Sequence, residues 1–406
     1  MTAVDVLTAF SGQGARYESF FQYSDESRIA SIEIHAVGMH NATARYSGQE
    51  GPWFEVNNIL RLITADGLQG VSGVDTYYRA GFSDAHLQEL EKAAGSLLRL
   101  DSLDPVIVSS LIEQRHSGLS NEARASIDIA LWDLAARKAS VPLYQMLGAR
   151  RHSIAAYASL PFYGTLAEHI AAVHEYARQG STAFKFHVWG SLDEDLRLVQ
   201  EVQRRFAGSP YRFMIDLEGM YEFDDALVLG RQMDQGLFLW FEAPIDDRQL
   251  EQYAELRNAL STRIIPAGYT VYSPEFIRQG IELSAWDAGR FDATVVGGLS
   301  SALERLTIAN QAGLAIDIQS WGHSLAQAAN LHLMLANERT EYFEAPMPGM
   351  VFEFGMRGGR LVKQGRAVAP AGVGLGIDID WSALGTADYH RVHRERASNT
   401  ALNQST

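Results

Sequence analysis

The chain has 406 residues, 47% hydrophobic and 20% charged, with a formal net charge of −15 and no cysteine. That length predicts two domains, and that mixture an ordinary soluble globular protein. The charge argues against nucleic acid or an anionic membrane as partner, and the lack of thiols excludes disulfides, thiolate metal sites and cysteine nucleophiles. A small anionic substrate stays compatible, because a local Lys, His or metal can invert the field inside a cleft. The first residues, Met1 to Val6, show no basic segment leading into an apolar core, and no apolar run reaches about 18 residues. The expectation is a cytoplasmic protein without a membrane span.

Residues 1–150 read as an α+β unit. Strand-like pieces at Val4–Phe10 and Ile29–Val37 flank a long loop, Ser11–Tyr23, which carries Arg16, Tyr17, Phe20 and Phe21. A third strand, Asn58–Thr64, meets Ala65-Asp66-Gly67, a hairpin signal. Helical periodicity then takes over at Asp84–Leu98, Pro105–Gln114 and Asn121–Lys138, the last with Ile127, Ile129, Ala130, Leu131, Leu134 and Ala135 as its apolar set. From about residue 152 the pattern becomes strand, polar link, amphipathic helix, repeated. The strands read as Ile154–Leu160, Ala183–Val188, Phe213–Asp216, Phe238–Glu242, Ile264–Ala267, Gly289–Ala293, Ala315–Ser320 and Tyr342–Glu344. Eight strands in such alternation favour an α/β barrel over an open sheet. The predicted division is 1–150, 151–345 for the barrel, and 346–406 for a turn-rich C-terminal segment with a flexible end from Ser398.

Charged residues close successive strands, where a barrel of this kind builds its active site. Asp216 and Glu242 end consecutive strands, so their carboxylates are candidates to share a hard cation such as Mg²⁺; each alone reads equally as a cap or an ion-pair partner. Lys185 lies between Phe184 and Phe186 and points the other way from them, into the barrel. Desolvation would lower its pKa and make it a base; pairing with Asp216 would make it structural. His187 shares its face, as base, hydrogen-bond donor or satisfied polar residue. Asp292 precedes Gly297-Gly298, and His323 follows the seventh strand, which suggests an Asp–His base pair. Glu344 reads as a carboxyl that donates to a carboxylate substrate if its pKa is raised, or as a structural acid.

These residues, in this order, resemble the enolase superfamily and its mandelate racemase-like group. The resemblance runs from about Leu60 to Asp380. It rests on the helix Ala125–Lys138, the Lys185-Phe186-His187 motif, the acids Asp216 and Glu242, Asp292 before Gly-Gly, Glu344, and the closing Gly374-Leu-Gly-Ile-Asp378. It implies a modified TIM barrel, (β/α)7β, capped by the N-terminal domain, whose first loop selects the substrate through residues such as Tyr17. It implies removal of a proton α to a carboxylate through a metal-stabilised enediolate. The expected activity is a Mg²⁺-dependent sugar-acid dehydratase, with a racemase, epimerase or lactone cycloisomerase as alternative. By analogy the resemblance implies a homo-oligomer.

Three positions depart from the group. Tyr269 stands after Ala267-Gly268, where a third metal carboxylate is expected, and a phenol is a poor Mg²⁺ ligand at neutral pH. Glu218 is the candidate substitute on the same face. His187 replaces the second lysine of the Lys-x-Lys pair, and Gln319 takes the place of the strand-seven histidine, displacing His323. Tyr269 and Gln319 then become substrate-binding candidates. Tyr269 also supports a further alternative, a catalytically degenerate barrel that binds an acid.

Overall fold

The computed structural model of the chain describes residues 28–41, 53–75, 84–100, 103–269, 272–349 and 352–397. The expected strand Val4–Phe10, the loop Ser11–Tyr23 with its Tyr17, and the tail from Ser398 lie outside the described residues.

The first sheet is antiparallel. Strands β1 (Ile29–Asn41), β2 (Trp53–Thr64) and β3 (Gln69–Asp75) are neighbours in that order, and a late strand, Tyr389–Arg396, pairs along β1. The β2–β3 hairpin turns where expected: Gly67 adopts φ +86°, and the Thr64 amide donates to Leu68 O at 2.9 Å. The helix Asn121–Lys138 is started by Ser120, whose side chain accepts from the Ala123 amide. It is buried on nearly every face, which is why it carries two wholly buried aspartates. Asp128 accepts from the Ser300 amide at 3.0 Å, at the start of the helix Leu299–Ala312. Asp133 accepts from the amides of Val71 at 2.8 Å and Leu375 at 2.6 Å and from Arg137 Nε at 2.8 Å. One carboxylate thus ties the first sheet, this helix and the C-terminal segment together.

Eight parallel strands alternate with seven helices in the remainder: β4 (Ser153–Ser159), β5 (Ala183–His187), β6 (Arg212–Asp216), β7 (Phe238–Glu242), β8 (Arg263–Ile265), β9 (Ala288–Phe291), β10 (Ala315–Ile318) and β11 (Tyr342–Pro346). This is the (β/α)7β barrel. A continuous ladder runs β11-β4-β5-β6-β7-β8, and β9 pairs with β10. Hydrogen bonds outside the ladder bridge the two seams, between β8 and β9 and between β10 and β11. The Asp287 amide donates to Ile264 O at 3.0 Å, and Ser320 Oγ donates to Glu344 O at 2.7 Å. No helix among the described residues is long and apolar enough to cross a membrane.

Strand alternation divides the side chains into two sets. Phe184, Phe186, Phe213, Ile215 and Phe241 face the helices and are fully buried with Val173, Leu198 and Leu229. Burial of such side chains contributes roughly 1.5–3 kcal/mol each. The inward set begins with a floor of Tyr157, Met214, Trp240, Ile265 and Ala288. Two residues beyond Met214, Trp240 and Ala288, and beyond Ala183 of the same floor, come the charged groups Asp216, Glu242, Arg290 and Lys185.

Asp133→Ala leaves two buried amides and the half-buried Arg137 without their acceptor, and the expected loss of stability is about 3 kcal/mol or more. Urea unfolding measures it; a loss below about 1 kcal/mol would show that the carboxylate does not join these three segments.

Candidate active site

Above the floor, one ammonium meets three carboxylates. Lys185 Nζ lies 3.0 Å from Asp216 Oδ2, 2.8 Å from Glu242 Oε1 and 2.8 Å from Glu344 Oε1. Beside it Arg290, fully buried, donates from Nη2 to Glu242 Oε1 and Glu344 Oε2, both at 2.9 Å, and pairs through Nη1 with Asp317. Ser159 Oγ donates to Glu344 Oε1 at 2.9 Å, Trp240 Nε1 to Glu242 Oε2 at 3.1 Å, and the Glu218 amide to Asp216 Oδ1 at 3.0 Å. All six oxygens of the three carboxylates therefore accept at least one hydrogen bond.

These contacts set the charges. Burial works against the Lys185 ammonium, but Glu242, Glu344 and Asp216 outweigh it and hold its pKa well above the usual lysine range. This corrects the expectation of a lysine base with a lowered pKa. Burial would raise Glu344, yet Lys185 and Arg290 pull it down to about 2. The group stays ionised at neutral pH, so the expected neutral donor is corrected too. Asp216 is likewise held well below the usual carboxylate range, burial being outweighed by Lys185 and His187. Burial, with the nearby Asp216 charge, pushes Glu242 upward despite Arg290.

His187 ends β5 one step nearer the mouth. Its Nδ1 lies 2.6 Å from Leu160 O and its Nε2 3.4 Å from Asp216 Oδ2. Burial lowers its pKa, but Asp216 more than restores it, leaving it raised. The Trp321 ring meets the imidazole edge to face at 5.8 Å. Across the barrel, Asp292 and His323 do not pair. Asp292 Oδ1 accepts from the Thr294 amide and hydroxyl, both at 2.7 Å, and from Asn330 Nδ2 at 2.8 Å. His323 caps the helix Ser324–Ala336, and its Nε2 lies 3.1 Å from Phe354 O. The expected dyad is corrected: the turn between Gln319 and His323 carries the imidazole away toward the C-terminal segment. Gln319 is buried directly after β10, with its amide on Phe291 O at 2.8 Å.

Tyr269 is half-buried just beyond β8. The loop before it is clamped by buried Asp247, which accepts from the amides of Ala267 at 2.8 Å and Gly268 at 3.0 Å and from the Tyr253 hydroxyl at 3.0 Å. Gly268 has φ +78°, and a Cβ there would sit 2.3 Å from Arg290 O, so only glycine fits. Glu218 is in the left-handed region, φ +50°. Sequence reading missed Arg290, Asp317 and Asp247. Arg290 was discoverable: it lies two residues before Asp292, hence on the same inward face, inside an otherwise apolar strand.

Two family models match the chain: the enolase C-terminal domain-like model over residues 168–383 and the N-terminal domain model of mandelate racemase/muconate lactonizing enzyme over residues 55–148. The chain belongs to the mandelate racemase/muconate lactonizing enzyme family of the enolase superfamily. It is 31% identical to the L-talarate/galactarate dehydratase of Salmonella typhimurium, over 78% of this chain and 80% of that one. It is 30% identical to the D-galactarolactone cycloisomerase of Agrobacterium fabrum, over 69% and 77%. A crystal structure of a Pseudovibrio sp. protein, ascribed by its description to the mandelate racemase/muconate lactonizing enzymes, superposes with TM-score 0.86 at 31% identity, covering 91% of this chain and all of that one. The Salmonella dehydratase has been crystallised with Mg and L-lyxarohydroxamate; its fold matches with TM-score 0.79 at 23% identity, over 91% of this chain and 95% of that one.

The residues of this chain do not fit the expected Mg²⁺ site. Among the described residues no group of three or more His, Cys, Asp or Glu is arranged to hold a metal ion. The expected set of Asp216, Glu242 and Glu218 is not assembled, and where three carboxylates do meet, Lys185 Nζ fills the point. The next strand end offers the phenol of Tyr269.

Buried neutral His323 has its pKa lowered to about 4 by burial, against 6.5 when unfolded. Between those values the unfolded chain binds the extra proton, so stability is full above pH 6.5 and falls as pH drops toward 4, by on the order of 3 kcal/mol. In His323→Asn, whose side chain still caps the helix but does not titrate, that part of the slope should vanish. Identical stability–pH curves for the two proteins would contradict the assignment.

Proposed function

We propose that this chain is a sugar-acid dehydratase-type lyase that works by removing the proton α to a carboxylate. The observation that carries the reading is the setting of His187. A carbonyl only accepts, so Nδ1 keeps a proton, bonded to Leu160 O, and the atom that gains or loses a proton is Nε2, beside Asp216, whose charge favours the protonated ring; the neutral form is the base. An imidazole fixed in one tautomer beside a carboxylate is a usable general base. Lys185, held by three carboxylates, does not serve as the base in this reading; Asp292 accepts from Thr294 and Asn330 through Oδ1 only.

In this reading His187 Nε2 takes the α proton, and the C–H electrons move into the carboxylate to give an enediolate. Asp216 stabilises the imidazolium as it forms. The same imidazolium then returns its proton to the departing β-hydroxyl, which leaves as water, and the resulting enol becomes a 2-keto acid. Tyr269 and Gln319, beyond β8 and β10, are assigned to donate hydrogen bonds to the substrate. The curated relatives named as dehydratases of talarate/galactarate and arabinonate support an aldaric or aldonic acid as substrate. The galactarolactone cycloisomerase supports a second reading with the same first step, in which the intermediate opens or closes a lactone instead of losing water.

Incubation with galactarate, talarate, arabinonate and gluconate should yield a 2-keto acid from at least one, and His187→Gln should slow it by about 100-fold or more. Lactone interconversion without keto acid would select the second reading. No turnover across the panel and the corresponding lactones, or an unimpaired His187→Gln, would sink the proposal.

A further inference from the structure

Two of the carboxylates expected to hold a divalent ion, Asp216 and Glu242, already meet a cation belonging to the chain. We propose that Lys185 is a resident counter-ion whose ammonium fills the meeting point of Asp216, Glu242 and Glu344, so that this barrel holds its strand-end carboxylates without a divalent metal. The valences match. An ammonium has three N–H donors, and three carboxylate oxygens stand 2.8 to 3.0 Å away, one from each of β6, β7 and β11. Those separations suit N–H···O bonds, whereas Mg²⁺ draws its oxygens in to about 2.0–2.1 Å in an octahedron.

The surroundings hold the cation in place. The lysine is 1% exposed, and its ammonium lies 5.7 Å from the centre of the Tyr157 ring below. Arg290 bridges Glu242 and Glu344 from the side, so two of the three carboxylates carry a second cation. Trp240, Ser159 and the Glu218 amide occupy remaining oxygens. A metal at this point would have to displace Lys185 and then settle beside Arg290, gaining two carboxylates already neutralised in part. The loop after β8, which Asp247 clamps, supplies a phenol rather than a further carboxylate.

The inference goes beyond the proposed reaction, and its readout is metal binding, which needs no turnover; failure of either leaves the other standing. Full-length protein freed of metal with EDTA is titrated with MgCl₂ and MnCl₂ in a calorimeter, and its melting temperature is followed with and without the salts. The wild type should show no saturable heat and no shift. Lys185→Met vacates the cage while keeping the length of the side chain; it should melt lower and be raised by Mg²⁺ or Mn²⁺ by roughly 3 °C or more. Saturable binding by the wild type near one ion per chain overturns the proposal. So does a folded Lys185→Met that takes up no metal, because the three carboxylates would then not form a cation site. If Lys185→Met does not fold even with metal, the wild-type titration decides by itself.

Discussion

A buried ammonium surrounded by three carboxylates is the constraint on which the barrel's interior depends. Lys185 can be enclosed because Asp216, Glu242 and Glu344 each offer an oxygen, and each of those acids can be enclosed because Lys185 and Arg290 answer it. Removing one member of such a buried set strands the others, at a cost on the order of 3–5 kcal/mol. Four strands, β5, β6, β7 and β11, are therefore joined through side chains as well as through the ladder. The alternation that turns Phe184 and Phe186 outward turns Lys185 inward, so the apolar shell and the polar centre come from the same strand geometry.

The same set separates roles among the charged groups. Lys185 and Arg290 lie within the barrel as fixed charges. His187 lies one step nearer the mouth and is the titratable group in contact with the set, through Asp216. The far wall is built differently. Asp292 accepts from Thr294 and Asn330 through Oδ1, its Oδ2 being buried without a partner among the described residues, and His323 is committed to capping a helix and to Phe354. The proposed reaction places proton transfer on the β5 face.

Much of this was legible in the sequence, for identifiable reasons. The barrel strands were found within a few residues because each is a short apolar run ending in a charged or turn residue, and the helix Asn121–Lys138 because its length and apolar content leave no other reading. The strand Tyr389–Arg396 was not found. Its residues show no apolar alternation, and it is held instead by pairing along β1 and by ion pairs such as Arg394 with Glu33 at 3.1 Å. Site positions followed from strand ends, but protonation states did not. Whether Lys185 is a base or a fixed cation depends on how many carboxylates reach it, which is a property of the closed barrel. Arg290 was overlooked because attention to strand ends passes over a charge in mid-strand.

The most direct measurement is loss of the α hydrogen, followed by NMR with an α-deuterated form of galactarate or of an acid that the panel shows to turn over. The wild type should release the label to water, with or without EDTA, and His187→Gln should slow that release by about 100-fold or more. Retention of the label in the product, or release at the same rate in His187→Gln, would contradict proton abstraction from the β5 face.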